Sequence, residues 1–416
     1  MPAASSDLVR VFGRIGLLSF GGPAAQIALM HRELVEERGW LDEQTYLRAL
    51  SFAMLLPGPE AMQLATYAGW KRAGLSGGLI AGGLFVLPGA LVVLALAMAY
   101  GALGTLPLVQ AVFLGVKAAV IAIVLEALLK VSKRALRGPG DWIVAALSFV
   151  AIFALALPFP LIILLAGLWG AARGSGTATA ETPLPDIRGT GRTVALWLTL
   201  WLTPILLLWA SGAAFLTQIA LFFSKLAVVT FGGAYAVLAY MTQEVVQDRG
   251  WLTTHEMIDG LGLAETTPGP LILVTEFVGY TAGTGQGGMA LGLAAAALTL
   301  WVTFIPCFLW IFAGAPYLDW IAGRPRLTGA LSGITAAVVG VILNLSIWFA
   351  AHVVFGQVET ATLGALTLIA PVAESLNPVA LALSAAASVA LLVFRWPLLG
   401  VLGLSALLGL LAGLLT

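Results

Sequence analysis

The 416-residue chain is 60% hydrophobic and 10% charged, with mean hydropathy +1.01 and 20 basic against 20 acidic side chains. A soluble globular domain carries about 25% charged residues, so this composition excludes one and indicates an integral membrane protein, while zero net charge gives no field for nucleic acid. Cys307 is the only cysteine and His31, His255 and His352 never fall at ligand spacing, so no disulfide, metal or other cofactor is expected.

Ser5, Ser6 and Asp7 stand where a signal peptide would have its basic start, so no removable signal is expected. The first half then reads as six apolar segments, at about 8–30, 45–70, 77–100, 107–130, 141–157 and 158–172. The first two are interrupted by Gly21-Gly22-Pro23 and Pro57-Gly58-Pro59, and the last two suit a tight helical hairpin. A polar stretch rich in Gly, Thr and Pro, 173–192, is expected to be a cytoplasmic linker, and 193–211 a linking transmembrane helix. Further segments follow at about 214–241, 254–281, 288–314 and 327–350, and the tail from about 357 to 416 is expected to hold two or three more helices. The fold class expected is therefore all-α and polytopic, with roughly 12–14 spans of the ~30 Å hydrocarbon core.

The chain says much of this twice. Phe20-Gly21-Gly22 returns as Phe231-Gly232-Gly233, Arg38-Gly39-Trp40 as Arg249-Gly250-Trp251, and Pro57-Gly58-Pro59 as Pro268-Gly269-Pro270, each 211 residues on. This divides the chain into a first repeat (1–172) and a second (212–416). The odd helix between them should invert the second copy, and loop charges agree under the positive-inside rule. Lys71 and Arg72 face a counterpart loop, 281–287, without Lys or Arg. Loop 101–107 has none where its counterpart has Arg324 and Arg326, and Lys130, Lys133, Arg134 and Arg137 oppose a bare 352–359. Inverted repeats with broken helices are a recurrent architecture of secondary transporters.

The breaks carry the chemistry. Irregular backbone survives in a membrane only where protein or a water-filled cavity covers it. Proline suits the first turn of a helix, so Gly22-Pro23, Gly58-Pro59 and Gly269-Pro270 read as helix restarts, and Gly233-Ala234 as the same without proline. Helix N-termini offer free N–H groups and partial positive charge, an anion site; the competing reading is that these motifs are packing and kink devices. Arg14 lies seven residues before Gly21, and Lys225 seven before Gly232. A cation in hydrocarbon costs roughly 2.5–3.5 kcal/mol, so the pair either serves the anion or snorkels to the interface. Lys117, mid-segment, either serves the anion or is neutralised by a carboxylate such as Glu60. Glu60, in the opening turn after Pro57-Gly58-Pro59, is a dipole partner or a proton-coupling group, and Glu265 and Glu276, flanking the second Pro-Gly-Pro, are further candidates for coupling or charge balance. Glu126 is expected to pair with the basic loop beside it. The polar stretches His31–Gln44 and Thr242–Thr254 read as interfacial turns, with Asp42 as a helix N-cap and Thr253 with Glu256 as a capping box.

The stretches VFGRIGLLSFGG (11–22), LLPGPEAMQLATYAGW (55–70), AVVTFGGAYAVLAY (227–240) and LGLAETTPGPL (261–271) resemble the chromate ion transporter family in its long, two-repeat form. The resemblance covers about 8–130 and 219–350 and departs at Ala234, where the first copy has Pro23. It implies a non-enzymatic, multi-pass protein of the bacterial inner membrane that exports chromate, with sulfate as isosteric competitor. The alternative is a carrier of sulfate or another small anion, proton-coupled or exchanging. Monomer and homodimer are both open. On this reading a tetrahedral dianion sits between the repeats near the midplane. Main-chain N–H groups around Gly21, Gly22, Gly58, Gly232, Gly233 and Gly269 hold its oxygens, Ser19 and Thr230 donate hydroxyl hydrogens, and Arg14 and Lys225 offset its charge.

Overall fold

The structure is a computed structural model and describes residues 2–174, 187–231, 234–318, 320, 324–364 and 366–415. Most of the 173–192 stretch and the Gly232-Gly233 pair lie outside the described residues. Among the described residues the fold is all-α and polytopic apart from one small hairpin. Two compact units form, and each draws on both sequence repeats. The first is Met1–Met98, Ser175–Ala234 and Thr267–Thr328; the second is Ala99–Gly174, Tyr235–Thr266 and Gly329–Thr416.

In the first unit, α1 (Pro2–Leu18) stops at the Phe-Gly-Gly motif and α2 (Gly22–His31) restarts with proline in its first turn. Gly21 makes the corner at φ 86°, a left-handed value that a side chain disfavours. A wide π-type turn, Arg32–Glu36, leads into the interfacial stretch. Next comes α3 (Glu43–Ala53), capped by Asp42, whose carboxylate accepts the Thr45 N–H at 2.9 Å. After Pro57-Gly58-Pro59 the chain enters α4 (Glu60–Leu103), 44 residues long. Straight, it would reach about 66 Å, twice a bilayer core. It folds back instead at Ala73 and Gly74, where φ is −144° and 65°. Its two arms pack through glycines: a Cβ added to Gly69 would strike the carbonyl of Gly77, and one on Gly82 would strike the Thr66 hydroxyl. Small residues allow this approach where lipid gives no hydrophobic drive between helices.

Then α8 (Ile187–Ala210) and α9 (Ala214–Val229) lead to the second copy of the first motif. The later α12 (Val274–Gly314) repeats the α4 device, folding back at Gly287 and Gly288 so that Gly279 abuts Ala295 and Thr299. Buried Phe12, Ile15, Met62, Phe85, Phe223 and Phe277 form this unit's core, while Leu87, Leu91, Leu206, Leu207 and Trp209 point outward, as a lipid-facing surface requires. Trp197 stacks on Phe308 at 5.5 Å, and the Trp201 indole donates to the Ser224 hydroxyl at 3.0 Å, anchoring α8 to its neighbours.

The second unit contains α5 (Pro107–Ala135), the expected hairpin of α6 (Pro139–Phe153) and α7 (Phe159–Arg173), and most of α10 (Ala234–Thr242). It continues with α11 (Thr254–Thr266) and α13 (Pro325–Val354). Among the described residues the tail holds two α-helices, within the expected two or three, and adds a hairpin to them. It opens with an antiparallel hairpin, β1 (Val358–Leu363) and β2 (Leu366–Pro371), before α14 (Pro378–Ser388) and α15 (Leu398–Leu415). The run VETATL is rich in β-branched residues and ends at Gly364, whose φ of 65° makes the turn. Thr367 N–H then ties β2 to the Ala154 carbonyl at 2.8 Å. Close glycine contacts again set the packing: Gly115 meets the Ser405 carbonyl, and Gly333 that of Ala166.

The sequence repeat is visible in the backbone. The π-type turn at Arg32–Glu36 returns at Gln243–Asp248, and the bend of α4 returns in α12. Gly39 and Gly250 have φ of 57° and 58°. The expected capping box also forms, with Thr253 and Glu256 each accepting the other's main-chain N–H at 2.8 and 3.2 Å.

Candidate functional site

All the described break residues of both repeats lie in the first unit. There the two kinds of break cross-pair. The Gly269 N–H donates to the Ser19 carbonyl at 2.9 Å, and the Gly58 N–H donates to the Thr230 carbonyl at 2.8 Å. Ser19 and Thr230 are equivalent positions, as are Gly58 and Gly269. Each repeat's Phe-Gly-Gly corner thus holds the other repeat's Pro-Gly-Pro corner, a reciprocal contact of the kind a two-fold axis produces. Both Pro-Gly-Pro corners are buried.

Two glutamines reinforce the crossing. The Gln26 amide donates to the carbonyls of Gly269 (2.7 Å) and Ser19 (3.2 Å), and the Gln63 amide donates to the Pro57 carbonyl at 2.7 Å. Their Oε1 atoms are buried without partners. Gly58 has φ 118°, and a Cβ there would lie 2.8 Å from both the Cys307 Sγ and the Gln63 Nε2. One turn before Cys307, Thr303 has a buried hydroxyl without a hydrogen-bond partner, and so does Thr299 a further turn back.

These contacts revise several expected roles. The N–H groups of Gly58 and Gly269 are committed to the scaffold, so they are not open donors here. The Ser19 hydroxyl donates to Ile15 O at 2.6 Å and the Thr230 hydroxyl to Leu226 O, each closing on its own helix. Gly21 and Gly22 are partly exposed at the start of α2, and no side chain caps that helix end. Gly232 and Gly233 lie outside the described residues.

The charges also find places. Arg14 is 54% exposed and pairs with the Glu33 carboxylate at 3.3 Å; Arg38 contacts the same carboxylate, which is fully buried. In the second copy Glu244 takes the Arg249 guanidinium at 3.2 Å and the Tyr240 hydroxyl at 2.7 Å. Lys225 is exposed on α9. Glu60 is half-buried at the start of α4, whereas Glu276 is buried with one oxygen lacking a hydrogen-bond partner. Glu126 pairs with Lys130 at 2.8 Å. In the polar stretch after α2, His31 sits between Glu43 (2.7 Å) and Glu36 (3.0 Å), and its pKa is raised, chiefly by the Glu43 hydrogen bond.

In the second unit, Lys117 forms an ion pair with Asp259 at 2.9 Å, and both are buried. Glu265 is buried and accepts the Tyr235 hydroxyl at 2.9 Å. Asp259, Thr303, Gln26 and Gln63 were missed in the sequence. None has a polar equivalent marking it in the other copy except Asp259, which faces Arg48 in the alignment. A polar residue within an apolar helix was the available signal.

The chromate transporter family profile matches residues 6–171 and 217–410. A chromate transport protein of Cupriavidus metallidurans is 33% identical over 372 residues, covering 87% of this chain and 86% of its own length. A probable chromate transport protein of Synechococcus elongatus is 32% identical over 82% of this chain and 84% of its own. A chromate transport protein of Pseudomonas aeruginosa is 32% identical over 82% and 80%. No solved structure matches the chain.

Proposed function

This chain belongs to the chromate transporter family, and from that premise we propose that it is a secondary carrier exporting chromate across the bacterial cell membrane. The anion binds at the helix breaks of the first unit, near the bilayer midplane. The observation that carries this reading is the reciprocal pairing of Gly269 with Ser19 and Gly58 with Thr230. It fixes the beginnings of α2, α4 and α12 around a rigid crossing, and helix beginnings attract anions.

The donors are divided between scaffold and ligand. Gly58, Gly269, Ser19 and Thr230 build the crossing. The uncapped first turn of α2, beginning at Gly22, and the hydroxyls of Thr299 and Thr303 supply hydrogens to the oxyanion. Arg14 and Lys225, both exposed, raise the local concentration of anion by their field and do not ligate it.

Export is downhill without a co-substrate. Each charge moved through the potential is worth about 2.3 kcal/mol per 100 mV, and a dianion leaving an inside-negative cell gains about twice that. The test is chromate flux in proteoliposomes at clamped potential. Flux should rise steeply with potential, and Thr303→Val should weaken chromate affinity. Flux indifferent to potential ends the electrogenic reading. Sulfate and phosphate in competition decide whether another tetrahedral anion is the preferred cargo.

A further inference from the structure

The second unit holds a buried charged cluster that anion binding at the breaks does not use. Asp259 of α11 forms an ion pair with Lys117 Nζ, 2.9 Å from one carboxylate oxygen, and accepts the Tyr100 hydroxyl on the other at 2.7 Å. Lys117 also lies 3.4 Å from His255 Nδ1. An ammonium has only hydrogens to offer, so that nitrogen accepts, and the imidazole turns its other nitrogen elsewhere. His255 lines a cavity of about 440 Å³ with Thr254, His352, Gln357 and Glu359. This cavity adjoins a second of about 260 Å³, sharing Thr254 and His352 with it. His352 donates through Nδ1 to the Trp348 carbonyl at 2.8 Å, leaving Nε2 as an acceptor.

A buried ion pair is costly to keep, because desolvation offsets much of the attraction. Ionisable groups inside a membrane protein mark ion or proton pathways more often than structural pairs. The cluster is also absent from the other repeat: Asp259 corresponds to Arg48, His255 to Gln44 and Lys117 to Thr335. The shared scaffold of the repeats therefore does not require it.

We propose that Asp259 is a proton-binding site, reached from this cavity past His255 and held ready by Lys117. A hydronium ion in the cavity gives up its proton, an O–H bond forms on the Asp259 oxygen that faces Lys117, and a water is left behind. The ammonium keeps its own three hydrogens and turns to His255 Nδ1, already within reach. Tyr100 continues to donate to the other oxygen. The charged or titratable neighbours of the site are thus Tyr100 from α4, Lys117 from α5, His255 and Glu256 from α11, His352 from α13 and Glu359 beside the cavity. The site gains one positive charge when the proton binds.

The use of this proton in transport rests on the carrier reading above; its binding does not. The test is an infrared pH titration of the reconstituted protein, followed through the C=O stretch of a protonated carboxyl. A band that grows as pH falls and is lost in Asp259→Asn is expected. Because Asp259→Asn leaves Lys117 unpaired, the neutral pair Asp259→Asn with Lys117→Gln is measured alongside. Wild-type protein without a band that both variants lose overturns the proposal. The pH dependence of chromate flux is the second readout, and it should flatten in the neutral pair. An unchanged profile overturns the coupling. If wild-type protein moves no chromate at all, the carrier reading falls, and the infrared band alone decides the proton site.

Discussion

At the residue scale, the crossing of the breaks depends on two glycines that differ in their surroundings. Gly58 has φ 118° and no room for a methyl beside Cys307 and Gln63; Gly269 has φ 88°, with the nearest atom, on Leu273, at 3.0 Å. Backbone strain of this kind costs about 1–3 kcal/mol, and the Gly58 site adds a clash. Gly58→Ala should therefore lower the unfolding temperature more than Gly269→Ala. Cys307→Ala should restore part of the loss, since neighbouring sites couple. Equal losses, with no rescue, would mean that the sulfur is not what Gly58 makes room for. His31 gives a prediction in pH. Its raised pKa means that the folded protein favours the imidazolium, held by Glu43 and Glu36. That stabilisation is complete below the unfolded pKa and is lost as pH rises through the folded one. Thermal stability should fall over that rise in wild-type protein and less so in His31→Gln. The effect is modest because the site is largely exposed.

At the scale of elements, the two longest helices, α4 and α12, are folded in two. The arms of α4 meet at Gly69 and Gly77, where an added Cβ would strike main chain that cannot move aside. A Cβ added to Gly83, in the same helix, would meet nothing within 4 Å. Gly77→Leu should abolish recovery of monodisperse protein, while Gly83→Leu should be recovered at wild-type yield. Equal recovery of both would show that the arms do not pack as described. The breaks, caps and arms were legible in the sequence because Gly, Pro, Asp and Thr act on their own backbone within a few residues. The β1–β2 hairpin lies in the tail expected to hold two or three helices, and its strands form only by pairing with each other. Its β-branched Val358, Thr360 and Thr362 and the turn at Gly364 distinguish it.

At the scale of the whole molecule, repeats and compact units are different divisions of the chain. Each unit takes segments from both repeats, and the breaks of one repeat are hydrogen-bonded to those of the other inside the first unit. Simple rocking of repeat against repeat would have to break the Gly269–Ser19 and Gly58–Thr230 bonds. Inversion of the second repeat remains a prediction from loop charge. With Cys307 replaced by serine, single cysteines at Gly104 and Gly285 should react with an impermeant thiol reagent from outside the cell. Those at Arg137 and Arg326 should react only once the cytoplasmic face is open. Any loop on the opposite side breaks the inverted scheme.

By itself the sequence determined the membrane class, the duplication, the helix restarts and the family, since each follows from composition or from residues close together in the chain. Tertiary structure alone decided which partners these residues meet. It set the N–H groups of Gly58 and Gly269 on the carbonyls of Thr230 and Ser19, and gave Lys117 to Asp259. The physical reason is that a buried polar group must find a partner wherever one is within reach. In a folded membrane protein that partner lies on another segment, 142 residues away for Lys117 and Asp259.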